Sequence, residues 1–307
     1  MLTRKRRSPN YKRRTTPLTL TQHHPRRFRE MKYVYPVVSR RSGGLSVGVN
    51  LSPTGLCNFA CAYCQILGET GNKQQNGHHS DHVVDFLRME SELRDVIAMV
   101  QSGELFQDTI FSRTPTHKRV LRDIAFSGNG EPTLSPQFPE AVRQVAAIRT
   151  GHCPESTKLV VITNGTCLAV PAVSDALQVL HANNGEVWAK LDAGTEEHFR
   201  TVSRSTIAFE KILSNLVSTA KTFPLVIQSC FLSIHGTEPP SVEIQAYITR
   251  LREIIDGGGA IRRVQLYTAA RKTPEPWANP LPDDQIDVIA ARVRRETDLV
   301  VETFYSR

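Results

Sequence analysis

Beyond residue 32 the chain alternates short apolar runs with helix-length amphipathic stretches, which limits it to few folds. Leu45, Val47, Val49 and Leu51 alternate with Ser46, Gly48 and Asn50, the period of a strand. Runs at 120–126, 159–162, 187–191, 225–232 and 264–267 read as five more strands. Helical patterns fall between them at 88–102, 139–148, 171–181, 195–202, 207–220 and 240–255. A helix at 284–296 and a short strand at 299–301 end the chain. Strands joined by helical crossovers pair in parallel, with right-handed connections.

The unusual residues decide between an open sheet and a barrel. Segments 57–64, 128–133, 164–166, 192–194 and 267–271 all follow strand C-termini. In α/β barrels that face carries the chemistry. The predicted fold is a partial (β/α)6 TIM-type barrel of parallel strands with a short C-terminal cap. The core spans about 45–272 within a unit of 33–307.

The net charge of +8 is unevenly placed. Residues 1–32 hold 11 Lys/Arg against Glu30 alone, while the rest hold 27 against 29 acids. The body is therefore near neutral, and the basic extension 1–32 is predicted to be disordered. It reads as a solvated tail, a nucleic-acid arm, a transit-type leader, or sequence upstream of a start at Met31. No run approaches the roughly 20 apolar residues of a membrane span. No apolar signal core opens the chain, so a cytoplasmic protein without disulfide staples is expected.

Three of the six cysteines, Cys57, Cys61 and Cys64, lie within eight residues in the spacing C-x3-C-x2-C. Three thiolates on one loop can each bind one iron of a cubane cluster and leave the fourth iron open. A zinc site closed by His78, His79 or His82 is the rival on spacing alone. Cys153, Cys167 and Cys230 fall at different ends of the barrel, so they are not expected to form a second cluster.

Cys57-x3-Cys61-x2-Cys64, with Tyr63 before the third cysteine, resembles the signature of the radical S-adenosylmethionine (SAM) superfamily. Gly128-Asn129-Gly130-Glu131-Pro132 after the second strand is similar to that superfamily's GGE motif, with Asn129 where many members have glycine. Ser39-Arg40-Arg41 and the run 126–133 look most like an uncharacterised group related to tRNA wyosine-synthesis enzymes. The resemblance covers about 34–272.

The resemblance implies a [4Fe–4S] cluster on Cys57, Cys61 and Cys64. It implies SAM held near Tyr63, by the turn Gly128, Asn129, Gly130 and Glu131, and by Asn164 and Lys190. SAM cleavage would yield a 5′-deoxyadenosyl radical. A flavodoxin- or ferredoxin-type electron donor and an RNA or protein substrate are the implied partners, with no membrane.

Lys190 and Asp192 share one strand face and are the candidate catalytic pair; they bind ligand, or pair with each other. Asn164 touches SAM ribose or caps a helix. Gln228, Gln265 and Tyr267 are candidates to face the barrel centre, with Arg271 and Lys272 at its mouth. Arg40 and Arg41 read phosphate or brace the first strand. The competing functions are a glycyl-radical-type activating enzyme and a zinc-stabilised nucleic-acid-binding protein.

Overall fold

The structure, a computed structural model, describes Arg26, residues 28–65 and residues 83–306. The predicted loop 66–82 and nearly all of the basic extension lie outside the described residues. Phe28 is buried, with its ring edge-on to Phe111 at 5.9 Å.

The sheet begins with an antiparallel hairpin. Strand β1 (Val34–Ser39) pairs with β2 (Gly44–Val49) through a turn in which Gly43 takes φ 71°. Only β2 was expected from the sequence. Strand β1 lacks polar alternation and contains Pro36, which only an edge strand tolerates.

From β2 onward every pairing in the main sheet is parallel. Helix α1 (Phe86–Ser102) leads to β3 (Leu121–Phe126), and α2 (Phe138–His152) to β4 (Lys158–Thr163). Helix α3 (Pro171–Ala182) leads to β5 (Gly185–Lys190). Helices α4 (Glu196–Ser203) and α5 (Phe209–Ala220) lead to β6 (Leu225–Cys230). A short β7 (Leu232–Ile234) precedes α6 (Ser241–Asp256) and β8 (Ile261–Tyr267). Strand β9 (Ala278–Pro280) pairs with β7 in a small second sheet. Helix α7 (Asp283–Thr297) and β10 (Val301–Phe304) close the chain.

The eight-stranded order is β1-β2-β3-β4-β5-β6-β8-β10. The expected partial barrel is therefore present, extended by an antiparallel edge and by a parallel β10. Its sheet curls until its edges approach: the Arg40 guanidinium donates to the Tyr305 carbonyl just beyond β10. Arg41 donates to Gln228 Oε1 on β6 at 3.1 Å.

Alternation sorts each strand into two faces. Ile124 and Phe126 of β3 join the helix-covered core, where Phe126 meets Phe138 of α2 edge-on at 5.5 Å. Asp123 and Ala125 face the barrel interior, where Ala125 packs with Val160, Trp188 and Val226. Val187, Ala189 and Leu191 pack outward, as expected.

The base of the interior is closed by charge. Buried Glu186 accepts from Lys158 at 2.6 Å, from Arg263 at 2.7 Å and from Trp188 Nε1 at 2.9 Å. Burial pushes its carboxyl up, but these bonds outweigh burial and hold it down to about 2. A depressed carboxylate stabilises the fold above its unfolded range near 4.5 and loses that contribution as pH falls toward 2.

Glu186→Gln leaves Lys158 without its counter-charge and Arg263 with Glu302 alone at 3.4 Å, and is expected to cost about 3 kcal/mol at neutral pH. Urea unfolding checks this. The gap from the parent chain should shrink as pH drops through that window.

Candidate active site

The cysteine loop (52–65) has no strand or helix of its own. Its backbone is held from outside instead. The Leu56 carbonyl accepts from Glu131 N at 2.9 Å. Ala60 N and Ala62 N donate to the Ser203 and Val202 carbonyls at 3.1 and 2.7 Å. Arg204 Nε donates to the Ala60 carbonyl at 2.5 Å, and Ser205 Oγ to the Asn58 carbonyl at 3.1 Å. Gln65 reaches the Lys272 carbonyl at 2.9 Å. Phe59 packs edge-on to Phe199 at 5.6 Å.

Cys57, Cys61 and Cys64 stand together on this loop. Burial pushes the Cys57 thiol up to about 12, and the charges of Glu131 and Cys64 add to the rise. Cys61 is raised further, first by burial, then by Asp192, Cys64 and Cys57. A cation bound among the three sulfurs would favour their thiolates. Among the described residues, no three His, Cys, Asp or Glu side chains converge tightly enough for a single metal ion. A cubane cluster takes each thiolate on a different iron, so the donor set suits it. His78, His79 and His82, the fourth zinc ligands considered above, lie outside the described residues.

The turn 128–131 fits under the loop because of its glycines. A Cβ on Gly130 would lie 2.1 Å from the Leu56 carbonyl oxygen. Gly128 has φ 142° and sits against the Asn50 side chain, where a Cβ would lie 2.6 Å away. Asn50 Oδ1 accepts from Asn129 N at 3.2 Å. The Asn129 amide donates to the Pro53 carbonyl at 3.4 Å.

Glu131 was expected to meet SAM. Its buried carboxylate accepts from Thr133 N and Oγ1 (3.1 and 2.6 Å), Thr163 Oγ1 (2.8 Å) and Asn164 N (2.6 Å). It joins the ends of β3 and β4. Burial raises its carboxyl, against those hydrogen bonds. Asn164 does not cap helix α3, whose N-cap is Val170. Its amide donates to Asn58 Oδ1 of the cysteine loop at 2.7 Å, and its oxygen accepts from Thr166.

Lys190 and Asp192 form an ion pair at 3.1 Å. Lys190 also donates to the Tyr267 hydroxyl and lies over the rings of Tyr63 (4.9 Å) and Tyr267 (4.7 Å). Burial works to lower Lys190, but Asp192, Tyr267 and Cys230 together outweigh it and the ammonium is held above its usual range. Asp192 also accepts from the Tyr63 hydroxyl and from Cys230 N at 2.7 Å. One carboxylate thus ties the cysteine loop to β5 and β6.

These groups border a cavity of about 350 Å³. Tyr63, Cys64, Gly128, Gly130, Lys190, Gln228, Cys230 and Tyr267 line it. Arg40, Arg41 and Arg271 line it too, whereas Lys272 is exposed. Gln265 is buried beneath, accepting from Gln228 at 2.9 Å. Cys153 and Cys167 pack against the main core, apart from Cys230. Sequence reasoning missed Arg26, Asn50 and Asn58, each placed by a loop or strand end, and Asp123 within β3. A polar residue closing an apolar strand, as Asn50 does, was the available signal.

No family model matches the chain. It is 24% identical over 276 residues to a protein of Brachyspira hyodysenteriae named GTPase Obg, covering 88% of this chain and 35% of that one. It is 26% identical over 238 residues to a UPF0026 protein of Helicobacter pylori, covering 77% and 65%. The chain therefore spans less than two thirds of the curated relatives it matches. It contains no G-x-x-x-x-G-K-[ST] phosphate loop. A radical SAM methyltransferase from Sphaerobacter thermophilus superposes with TM-score 0.58 at 13% identity, over 89% of this chain and 69% of that one. The two chains share a fold. No helix among the described residues is long and apolar enough to cross a membrane.

Gly130→Ala drives a methyl into the Leu56 carbonyl and is expected to cost about 2 kcal/mol. It should also lower iron retained per chain after anaerobic reconstitution. Gly151→Ala, which meets open space, should keep both. Thermal unfolding and iron assay check the pair.

Proposed function

We propose that the chain is a radical SAM enzyme. The observation that carries this reading is the meeting of two elements in one cavity. Cys64 of the three-cysteine loop and the glycine turn 128–130 line it together, in a fold shared with a radical SAM methyltransferase. Cys57, Cys61 and Cys64 would hold a [4Fe–4S] cluster and leave one iron without a protein ligand. When bound, such a cluster would supply the one electron needed to split the sulfonium C–S bond of SAM into methionine and a 5′-deoxyadenosyl radical.

The chain's own residues supply position and charge. The bare backbone at Gly128 and Gly130 admits SAM close to the turn. Glu131 and Asn164 act as positioning residues, because their side chains hold the turn and the cysteine loop. Lys190 presents a fixed ammonium at the cavity wall, suited to a carboxylate of SAM or of the substrate. Asp192 keeps that ammonium charged and orients Tyr63. Tyr63 packs against buried Ala62 and Cys230, which keeps that wall of the site apolar. The electron comes from a low-potential donor of flavodoxin or ferredoxin type.

The test is 5′-deoxyadenosine formation from SAM by anaerobically reconstituted protein with a strong reductant. Product is expected from the parent chain and none from Cys61→Ala, which should also lose iron. Equal product from both would overturn the reading. A second measurement probes the ion pair. In Asp192→Asn, Lys190 loses the largest charge that opposes burial, so its ammonium gives up its proton at lower pH than in the parent. Cleavage by the variant should therefore decline with rising pH earlier than cleavage by the parent.

A further inference from the structure

Arg26, Arg40, Arg41 and Arg271 all line the cavity, where the two edges of the curled sheet approach. Among the described residues none of the four forms an ion pair. Elsewhere Arg88, Arg204 and Arg263 each meet a glutamate at 2.8 Å or less. Arg40 spends one N–H on the Tyr305 carbonyl. Arg41 spends one on Gln228 and lies over the Tyr267 ring at 5.1 Å. A guanidinium has five N–H donors in a planar fork, so most donors of both remain. The four are close enough to act on one another. Burial, then the charges of Arg26, Arg40 and Arg41, hold Arg271 below the usual arginine range. Arg40 is held down by burial and by Arg41.

Uncompensated like charges around a half-buried cavity are costly, and an anion entering there is favoured by the summed field. One carboxylate is satisfied by a single bidentate guanidinium. Four arginines suit a group with several charged oxygens.

We infer that Arg26, Arg40, Arg41 and Arg271 bind the phosphate of a phosphorylated substrate in the cavity that Cys64 and Tyr63 also line. Taking the occupant as the substrate rests on the radical SAM reading above. The phosphate comes from a free nucleotide or from a polynucleotide backbone; both offer the oxygens that arginine forks match.

The test uses the full chain without added cluster. Inorganic pyrophosphate is titrated calorimetrically, and melting is followed against sodium chloride at equal ionic strength. Pyrophosphate is expected to bind and to raise Tm. Arg271→Gln is the clean variant, because among the described residues Arg271 makes no hydrogen bond to another element. It should weaken binding roughly tenfold, the effect of losing one charge-assisted bond. Without anion it should melt no lower than the parent, since repulsion is relieved. Absence of binding beyond the salt control, or unchanged affinity in Arg271→Gln, overturns the inference. So does a lower anion-free Tm with no anion response, which would make the arginines structural.

AMP and a short single-stranded RNA then compete for the pyrophosphate site. Displacement by AMP alone supports a free nucleotide; displacement by RNA supports a polynucleotide. The two proposals fail separately. A chain that cleaves SAM but ignores pyrophosphate overturns the arginine site alone. A chain that binds pyrophosphate through Arg271 but never cleaves SAM overturns the enzymatic reading and leaves an anion site.

Discussion

A loop carrying three cysteines cannot pair its own backbone as a helix or strand does, and unpaired buried amides are costly. Residues 52–65 meet that constraint by borrowing partners from the strand ends around them. Glu131 N fixes the Leu56 carbonyl, the end of α4 takes the amides of Ala60 and Ala62, and Asn164 holds Asn58. Asp192 anchors Tyr63. The loop is thus a product of the closed fan of parallel strands, and a thiol geometry set there is set by β3, β4 and β5 together. The close approach at Gly130 belongs to the same constraint: the turn and the loop share one layer of space.

Buried charge in the barrel interior falls into two regimes. At the base, Glu186 is surrounded by Lys158 and Arg263, so the cost of burying it is offset within the protein. Nearer the cavity, Lys190 is balanced by Asp192. The arginines at the seam have no such balance among the described residues. A fold that compensates charge carefully at its base and leaves four guanidinium groups uncompensated beside its cavity separates structural electrostatics from binding electrostatics.

Much of this was legible in the sequence. Parallel strands with helical crossovers follow from period and spacing, and β3 to β6 fall where the apolar runs lie. The inward placement of Lys190 and Asp192 followed from alternation alone, and Gln228 and Tyr267 reached the cavity as expected. Strand β1 was not legible, because an edge strand buried along most of its length shows no polar alternation. Strand β9 was hidden in a Pro-rich connector. The partners of side chains were hardest to read, since they depend on which strand ends the barrel brings together. Arg26 sits in a basic run whose sequence gives no sign that one member turns to the cavity.

The motif residues illustrate how position and role separate. Glu131 stands where the superfamily resemblance puts an acid, yet its oxygens accept four bonds from Thr133, Thr163 and Asn164. Asn129 stands where glycine is common, and its amide ties the turn to Pro53. Both side chains act on the shape of the turn, which leaves the glycine backbone as its open face. The course of the turn is fixed by Glu131 below and by Asn50 beside it. The basic side chains that meet the cavity come from elsewhere: Lys190 from the end of β5, Arg40 and Arg41 from the turn after β1, Arg26 from the segment before β1 and Arg271 from the segment after β8. The backbone of the turn and the charge beside it are therefore built by separate parts of the chain.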